Sequence, residues 1–177
     1  YKGASGTLSG SASAAGASYF SETGSFYRYV AATEVTGGAG LTWADARAAA
    51  KATTFNGAEG YLATATSAAE FSFIKDKAGV GTSIWLGGND LAVEGEWRWN
   101  NDPGVPSSER NVQFWSGTAS SGSSINSYPD LWNDRQPDNW SGAGAGGEDV
   151  MSISTGGGWN DLGAGSKLGY VIEYTPS

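Results

Sequence analysis

In Gln136-Pro137-Asp138, two oxygen-bearing side chains flank a proline. An X-Pro bond can be cis, and a cis bond here would turn both side chains toward one point. Downstream come Glu148 and the adjacent pair Asn160-Asp161. With the Asp161 carbonyl, these side chains would offer about six oxygen donors, and calcium takes six to eight. Two neighbouring hydroxyls of a sugar could fill the remainder. A hydroxyl on the ion keeps a proton for a carboxylate and a lone pair for an amide N–H. Mixed carboxylate and amide ligands can therefore hold ion and sugar together. Trp140 lies close after Asp138 and could stack its indole on the apolar face of a hexose.

Composition narrows the chemistry further. The chain has 177 residues, 39% of them hydrophobic, enough for one well-buried domain and short for two. It has neither histidine nor cysteine, which excludes imidazole-held zinc or copper, disulfides, thiolate metals and a cysteine nucleophile. The net charge of −8 argues against nucleic acid as a partner, though not against a divalent cation. No apolar run approaches the roughly 20 residues that cross a membrane, so membrane insertion is not expected. Abundant Ser, Gly, Ala and Thr with little lysine points to an extracellular or cell-surface setting.

The elements that must position these residues read as follows. Residues 1–25 are rich in Ser, Gly and Ala, with apolar Leu8, Tyr19 and Phe20, and read as a linker or a loosely attached leading strand. The domain proper runs over 26–177. Phe26 to Val30 has strand composition. Thr42 caps a helix whose apolar positions are Trp43, Ala46 and Ala50, ending near Phe55-Asn56-Gly57. Ser67 and Glu70 form a capping box for a second helix with Phe71 and Ile74 inward. Ile84–Gly88, Glu96–Trp99, Val150–Ile153 and Gly169–Tyr174 read as strands. Between Asn100 and Gly147 loop signals dominate, and a loop region this long carries function or needs an ion to hold it. Two helices, short antiparallel strands and a long calcium-binding loop region make the fold class α+β.

In this order the motifs resemble the C-type lectin family over roughly Phe26 to Tyr174. Trp43-Ala-Asp-Ala46 looks like its first helix, Gly60-Tyr-Leu-Ala63 with Glu70-Phe71 like its second, and Trp85-Leu-Gly87 and Glu96-Trp-Arg-Trp99 like its central strands. Gln136-Pro-Asp138 matches the galactose-type signature, Glu148-Asp149 the acidic pair that follows, and Trp159-Asn-Asp161 the closing calcium motif. Trp140 followed by the glycine-rich run Ser141–Gly147 matches the galactose-type subgroup as well.

The resemblance implies that Gln136, Asp138, Glu148, Asn160 and Asp161 ligate calcium. Gln136, Asp138, Trp140, Glu148 and Asn160 would bind galactose or a related glycan. It also implies a second calcium at Asp90, Glu94 and Asp149, with Asn139 standing where other members often have Asp. The positions that hold disulfides in animal members fall on Ala50 with Ile172 and on Val150 with Ala164, so packing must replace the cross-links and a bacterial cell-surface or adhesin member is implied.

Plainer readings stand beside these. Glu148-Asp149 and the Asp45 and Arg47 helix face could be solvated charge. Trp85, Trp97, Trp99 and Trp132 read as core, and Asn133 and Asp134 as incidental loop chemistry. A non-sugar module, binding ice or protein, is the alternative on the same fold. An enzyme is not expected. Glu148 and Asp161 could pair as glycosidase carboxylates, but calcium-held carboxylates are poor proton donors, and the usual histidine and cysteine groups are missing.

Overall fold

Thr42 opens the first helix, α1 (Trp43–Lys51), its hydroxyl accepting from Asp45 N at 3.3 Å, with Trp43, Ala46 and Ala50 on the buried face. The computed structural model describes residues 16–79 and 81–177. The helix stops short of Phe55, because Thr54–Phe55 (β3) and Ala58–Glu59 (β4) pair instead as a hairpin. Asn56 and Gly57, at φ 52° and 77°, form its turn, the left-handed pair that Asn-Gly favours between antiparallel strands.

Helix α2 (Ala68–Ala78) starts at Ser67, whose Oγ accepts from Glu70 N at 3.1 Å. Only half of the expected capping box forms. The Glu70 carboxylate turns inward, accepting from Thr66 N and Oγ1 at 2.7 and 2.8 Å.

The main sheet runs in the order β1 (Ala17–Phe20), β2 (Ser25–Val30), β12 (Gly169–Tyr174), β6 (Ile84–Asn89), β7 (Glu96–Trp99), β8 (Gln113–Ser116) and β9 (Ser123–Ser124). β12 and β6 are parallel and the other neighbours antiparallel. β5 (Tyr61–Leu62) joins β12, while β10 (Val150–Ile153) pairs with both β6 and β11 (Trp159–Leu162). The architecture is α+β, as expected. The sheet reaches back to Ala17, whose strand is paired along its length with β2; residues 1–15 of the expected leading segment lie outside the described residues.

Two apolar clusters flank the sheet. One joins α1 to Trp85, Val150 and Ile172, and the other is dominated by rings, among them Trp97, Trp99, Phe114, Trp115 and Trp159. Trp99 stacks on Phe114 with centroids 4.1 Å apart, and both meet Trp159 edge-on. Ala50 and Ile172 share the first cluster, so packing occupies that expected disulfide position. The second expected pair is not adjacent: Val150 is opposite Leu162 in the ladder, and Ala164 is exposed beyond it. Arg47 is not a solvated face residue either, for it pairs with buried Asp102 through Nε at 2.8 Å and Nη2 at 2.9 Å.

Three glutamates meet beneath β12. The Tyr27 hydroxyl contacts Glu70 at 2.7 Å and Glu173 at 3.1 Å, and the Thr64 hydroxyl contacts Glu109 at 2.6 Å and Glu173 at 3.3 Å. Glu70 and Glu173 are buried. Burial raises all three carboxyls, Glu109 to about 7, and Glu70 and Glu109 raise Glu173 further.

Candidate functional site

The β10–β11 hairpin supplies the rigid half of the site. Glu148 lies just before β10, and Asn160 and Asp161 lie on β11 opposite Ser152 and Met151. Trp159 anchors the hairpin in the aromatic cluster, so its two successors inherit a fixed backbone. The other half is the loop from Leu131 to Trp140, strapped onto the hairpin. Trp159 N donates to Leu131 O at 2.8 Å and Asn133 N to Trp159 O at 2.9 Å. The Asn133 side chain accepts from Gly158 N at 2.9 Å and donates to Ser154 Oγ. Asn133 is therefore a structural strap, not incidental loop chemistry.

The Gln136–Pro137 bond is cis, and Arg135 and Asn139 around it take φ of 65° and 46°. The loop then closes on Asp161, whose Oδ1 accepts from Asp138 N at 3.2 Å and whose Oδ2 accepts from Asn139 N at 2.7 Å. Asn139 Oδ1 accepts from Glu148 N at 2.8 Å, and Glu148 Oε2 accepts from Trp140 N at 3.2 Å. Gly147, at φ 76°, lets Asn139 approach; any side chain there would strike Asn139 Oδ1.

The outcome is that one carboxylate oxygen each from Asp138, Glu148 and Asp161 lie within 4.8 Å of one another. Glu148 is pushed up to about 7 by burial first and then by the Asp161 charge, and Asp161 to about 6 by burial, with Asp138 adding repulsion. The oxygen-only donor set and its unrelieved negative charge fit a hard divalent cation. Gln136 Oε1 accepts from Asp138 N at 3.2 Å, and Asn160 Nδ2 donates to Asp161 O at 2.7 Å, so both amides border the group. Trp140 is 61% exposed beside it, its ring against Gly142, where a side chain would collide with the indole.

Asp90, Glu94 and Asp149 are neighbours without the same convergence. Asp90 N donates to Asp149 O at 3.1 Å, and Asp90 Oδ2 accepts from Gly95 N at 2.8 Å. Among the described residues no donor reaches buried Asp90 Oδ1, and burial raises the group to about 7, opposed by the Gly95 hydrogen bond and reinforced by the Glu94 and Asp149 carboxylates. Among the described residues, Asp138, Glu148 and Asp161 form the acidic group that converges within 4.8 Å.

These features place the chain in the C-type lectin-like fold. The carbohydrate-recognition domain of human scavenger receptor C-type lectin matches at a TM-score of 0.62 and 20% identity, over 90% of this chain and 96% of that one. C-type lectin CEL-I from Cucumaria echinata matches at 0.56 and 22% identity, over 85% and 90%. A calcium-independent type II antifreeze protein matches at 0.60 and 19% identity, over 91% and 92%. No family model matches the sequence. Among curated proteins, Halomucin from Haloquadratum walsbyi is 32% identical over 159 residues, which is 86% of this chain and 2% of that protein. The chain thus spans about 2% of the length of the curated relative it matches.

Proposed function

We propose that this domain is a calcium-dependent carbohydrate-binding module with galactose-type preference, displayed outside the cell as part of an adhesin, and not an enzyme. The observation that carries the reading is the convergence of Asp138, Glu148 and Asp161 within 4.8 Å beside an exposed tryptophan. Gln136, Asp138, Glu148, Asn160 and Asp161 would hold the ion, and Asp90, Glu94 and Asp149 a second one. When bound, calcium offers coordination positions to two neighbouring sugar hydroxyls. The chain's own residues do the rest: the carboxylates of Asp138 and Glu148 accept hydroxyl protons, and the amides of Gln136 and Asn160 donate to hydroxyl lone pairs. Trp140 offers its ring to the apolar face of the sugar.

The deciding experiment is retention on galactose-agarose in calcium, with elution by EGTA and by free galactose. Retention that survives both would sink the proposal. Exchanging Gln136→Glu together with Asp138→Asn reverses the donor and acceptor order and should shift preference toward mannose-type sugars on a glycan array.

The likeness to an antifreeze protein favours a second reading, a non-sugar module that binds ice or protein on the same fold. Thermal hysteresis, or binding that no free sugar displaces, would select it.

A further inference from the structure

Away from the carboxylate loop, a groove of about 310 Å³ is lined from α1, β6, β7 and the segment 100–111. Its polar lining includes Asn89, Asn100 and Asn111, with Arg47 and Arg98 beside them. Leu91, 52% exposed, adds an apolar surface.

Asn100 is the telling residue. It is 2% exposed and pinned in place, its backbone N donating to Gly87 O at 3.0 Å and its Oδ1 accepting from Asn89 Nδ2 at 2.9 Å. That orientation leaves its Nδ2 buried with no partner among the described residues. An unmet buried donor costs about 1–3 kcal/mol, so it marks a place where an acceptor from elsewhere is stabilising.

The charges nearby point the same way. Arg47 commits Nε and Nη2 to Asp102 and Asn101, and among the described residues no hydrogen bond engages its Nη1. Lys51 also reaches Asp102, at 3.2 Å, and Arg98 reaches Glu96 at 3.2 Å. The charged residues of the lining itself are Arg47 and Arg98, both basic, each held in place by a carboxylate, Asp102 and Glu96, and Arg98 Nη1 also donates to Asn111 O at 3.1 Å. Arginine beside amide donors recognises an oxyanion, and the planar fork suits a carboxylate. The volume lies at the small end of the roughly 300–1,000 Å³ of ligand pockets, room for one sugar-sized molecule.

We infer that this groove is a second, metal-independent site, in which Asn100, Arg47 and Arg98 bind a carboxylate-bearing ligand of the size of one sugar, such as a hexuronate. The site shares no residue with the calcium-loop reading and stands or falls separately from it.

The test is a titration of isotope-labelled protein by NMR in excess EGTA, which disables any calcium-dependent binding. Sodium glucuronate is the probe, with glucose, the neutral methyl ester of glucuronate and sodium sulfate as controls. The expected result is saturable shifts at the side-chain amides of Asn100 and Asn111 and at the Arg47 guanidinium with glucuronate alone, at millimolar affinity. Arg98→Gln should weaken that binding about tenfold, and Arg98→Lys should restore part of it. No saturable shift with glucuronate, equal shifts with glucose or the ester, or a sulfate response equal to that of glucuronate would each overturn the proposal.

Discussion

Asp138, Glu148 and Asp161, where the loop meets the β10–β11 hairpin, and Glu70, Glu109 and Glu173 in the interior are two crowded carboxylate trios held by different donors. In the loop, the donors that reach Asp161 and Glu148 are backbone N–H groups of residues 138, 139 and 140. Beneath the sheet, the hydroxyls of Tyr27, Thr64 and Thr66 do most of the work. A backbone N–H can only donate, so it favours the ionised carboxylate. A hydroxyl can donate to a carboxylate or accept from a carboxylic acid. The interior trio can therefore settle its repulsion with protons passed through hydroxyls, whereas the backbone donors of the other trio oppose the burial that raises Glu148 to about 7 and Asp161 to about 6.

The largest expected break in that contrast is Asp161→Asn. It removes one charge and keeps the volume, and it should lower calcium affinity by about 100-fold, read by calorimetry; its amide nitrogen would face a backbone N–H of the loop, so stability in EGTA should fall as well, by about 1–3 kcal/mol. An unaltered calcium response would make the two trios equivalent.

Next comes pH. Burial raises Glu148 to about 7 and Asp161 to about 6, so on the proposed calcium reading the ion would compete with their protons. Calcium affinity should fall at least about tenfold as pH drops from above 7 to below 6. A flat profile would mean that these carboxylates are not ligands. Third, Trp140→Ala should weaken galactose binding about tenfold with the calcium midpoint unchanged, since the ring offers stacking and no ligand atom.

The smallest effect belongs to the interior. Glu109 rises from 4.5 to about 7 on folding, so its folded form is the one that prefers the proton. The stability tied to that proton is full below 4.5 and is lost as pH rises through about 7. Glu109→Gln should therefore raise the melting temperature at pH 8, by about 2–4 °C per kcal/mol recovered, with about 1 kcal/mol expected, and have no such benefit at pH 4. Equal melting curves at pH 8 would indicate that the interior trio carries no repulsion.

The loop half of this comparison was legible in the sequence because its residue types are concentrated in short motifs. Gln136, Asp138, Glu148 and Asp161 stand within stretches whose order carries a resemblance, while Glu96–Trp99 announces itself as a strand by polar–aromatic alternation and Gly169–Tyr174 by its apolar run. The interior trio was not legible. Glu70 reads as a cap, Glu173 as one residue of a strand and Glu109 as one residue of a long loop region, until the sheet brings Thr64 and Tyr27 to them across the chain. Strand β8 hid for a similar reason, with Phe114-Trp115 in a run of polar and glycine residues. The Arg47–Asp102 pair and the Asn133 strap are long-range partnerships that no local period encodes. Asn56-Gly57 was misread because a helix stop and a hairpin turn use the same two residues.

The exposure of Trp140 has an optical consequence. The other tryptophans, at 43, 85, 97, 99, 115, 132 and 159, are wholly or partly shielded from solvent. Collisional quenchers such as acrylamide will reach the indole at 140 ahead of the rest. A molecule lying on that ring would shield it and raise the unquenched emission, so the domain carries an intrinsic fluorophore at the proposed sugar position, read out without any label.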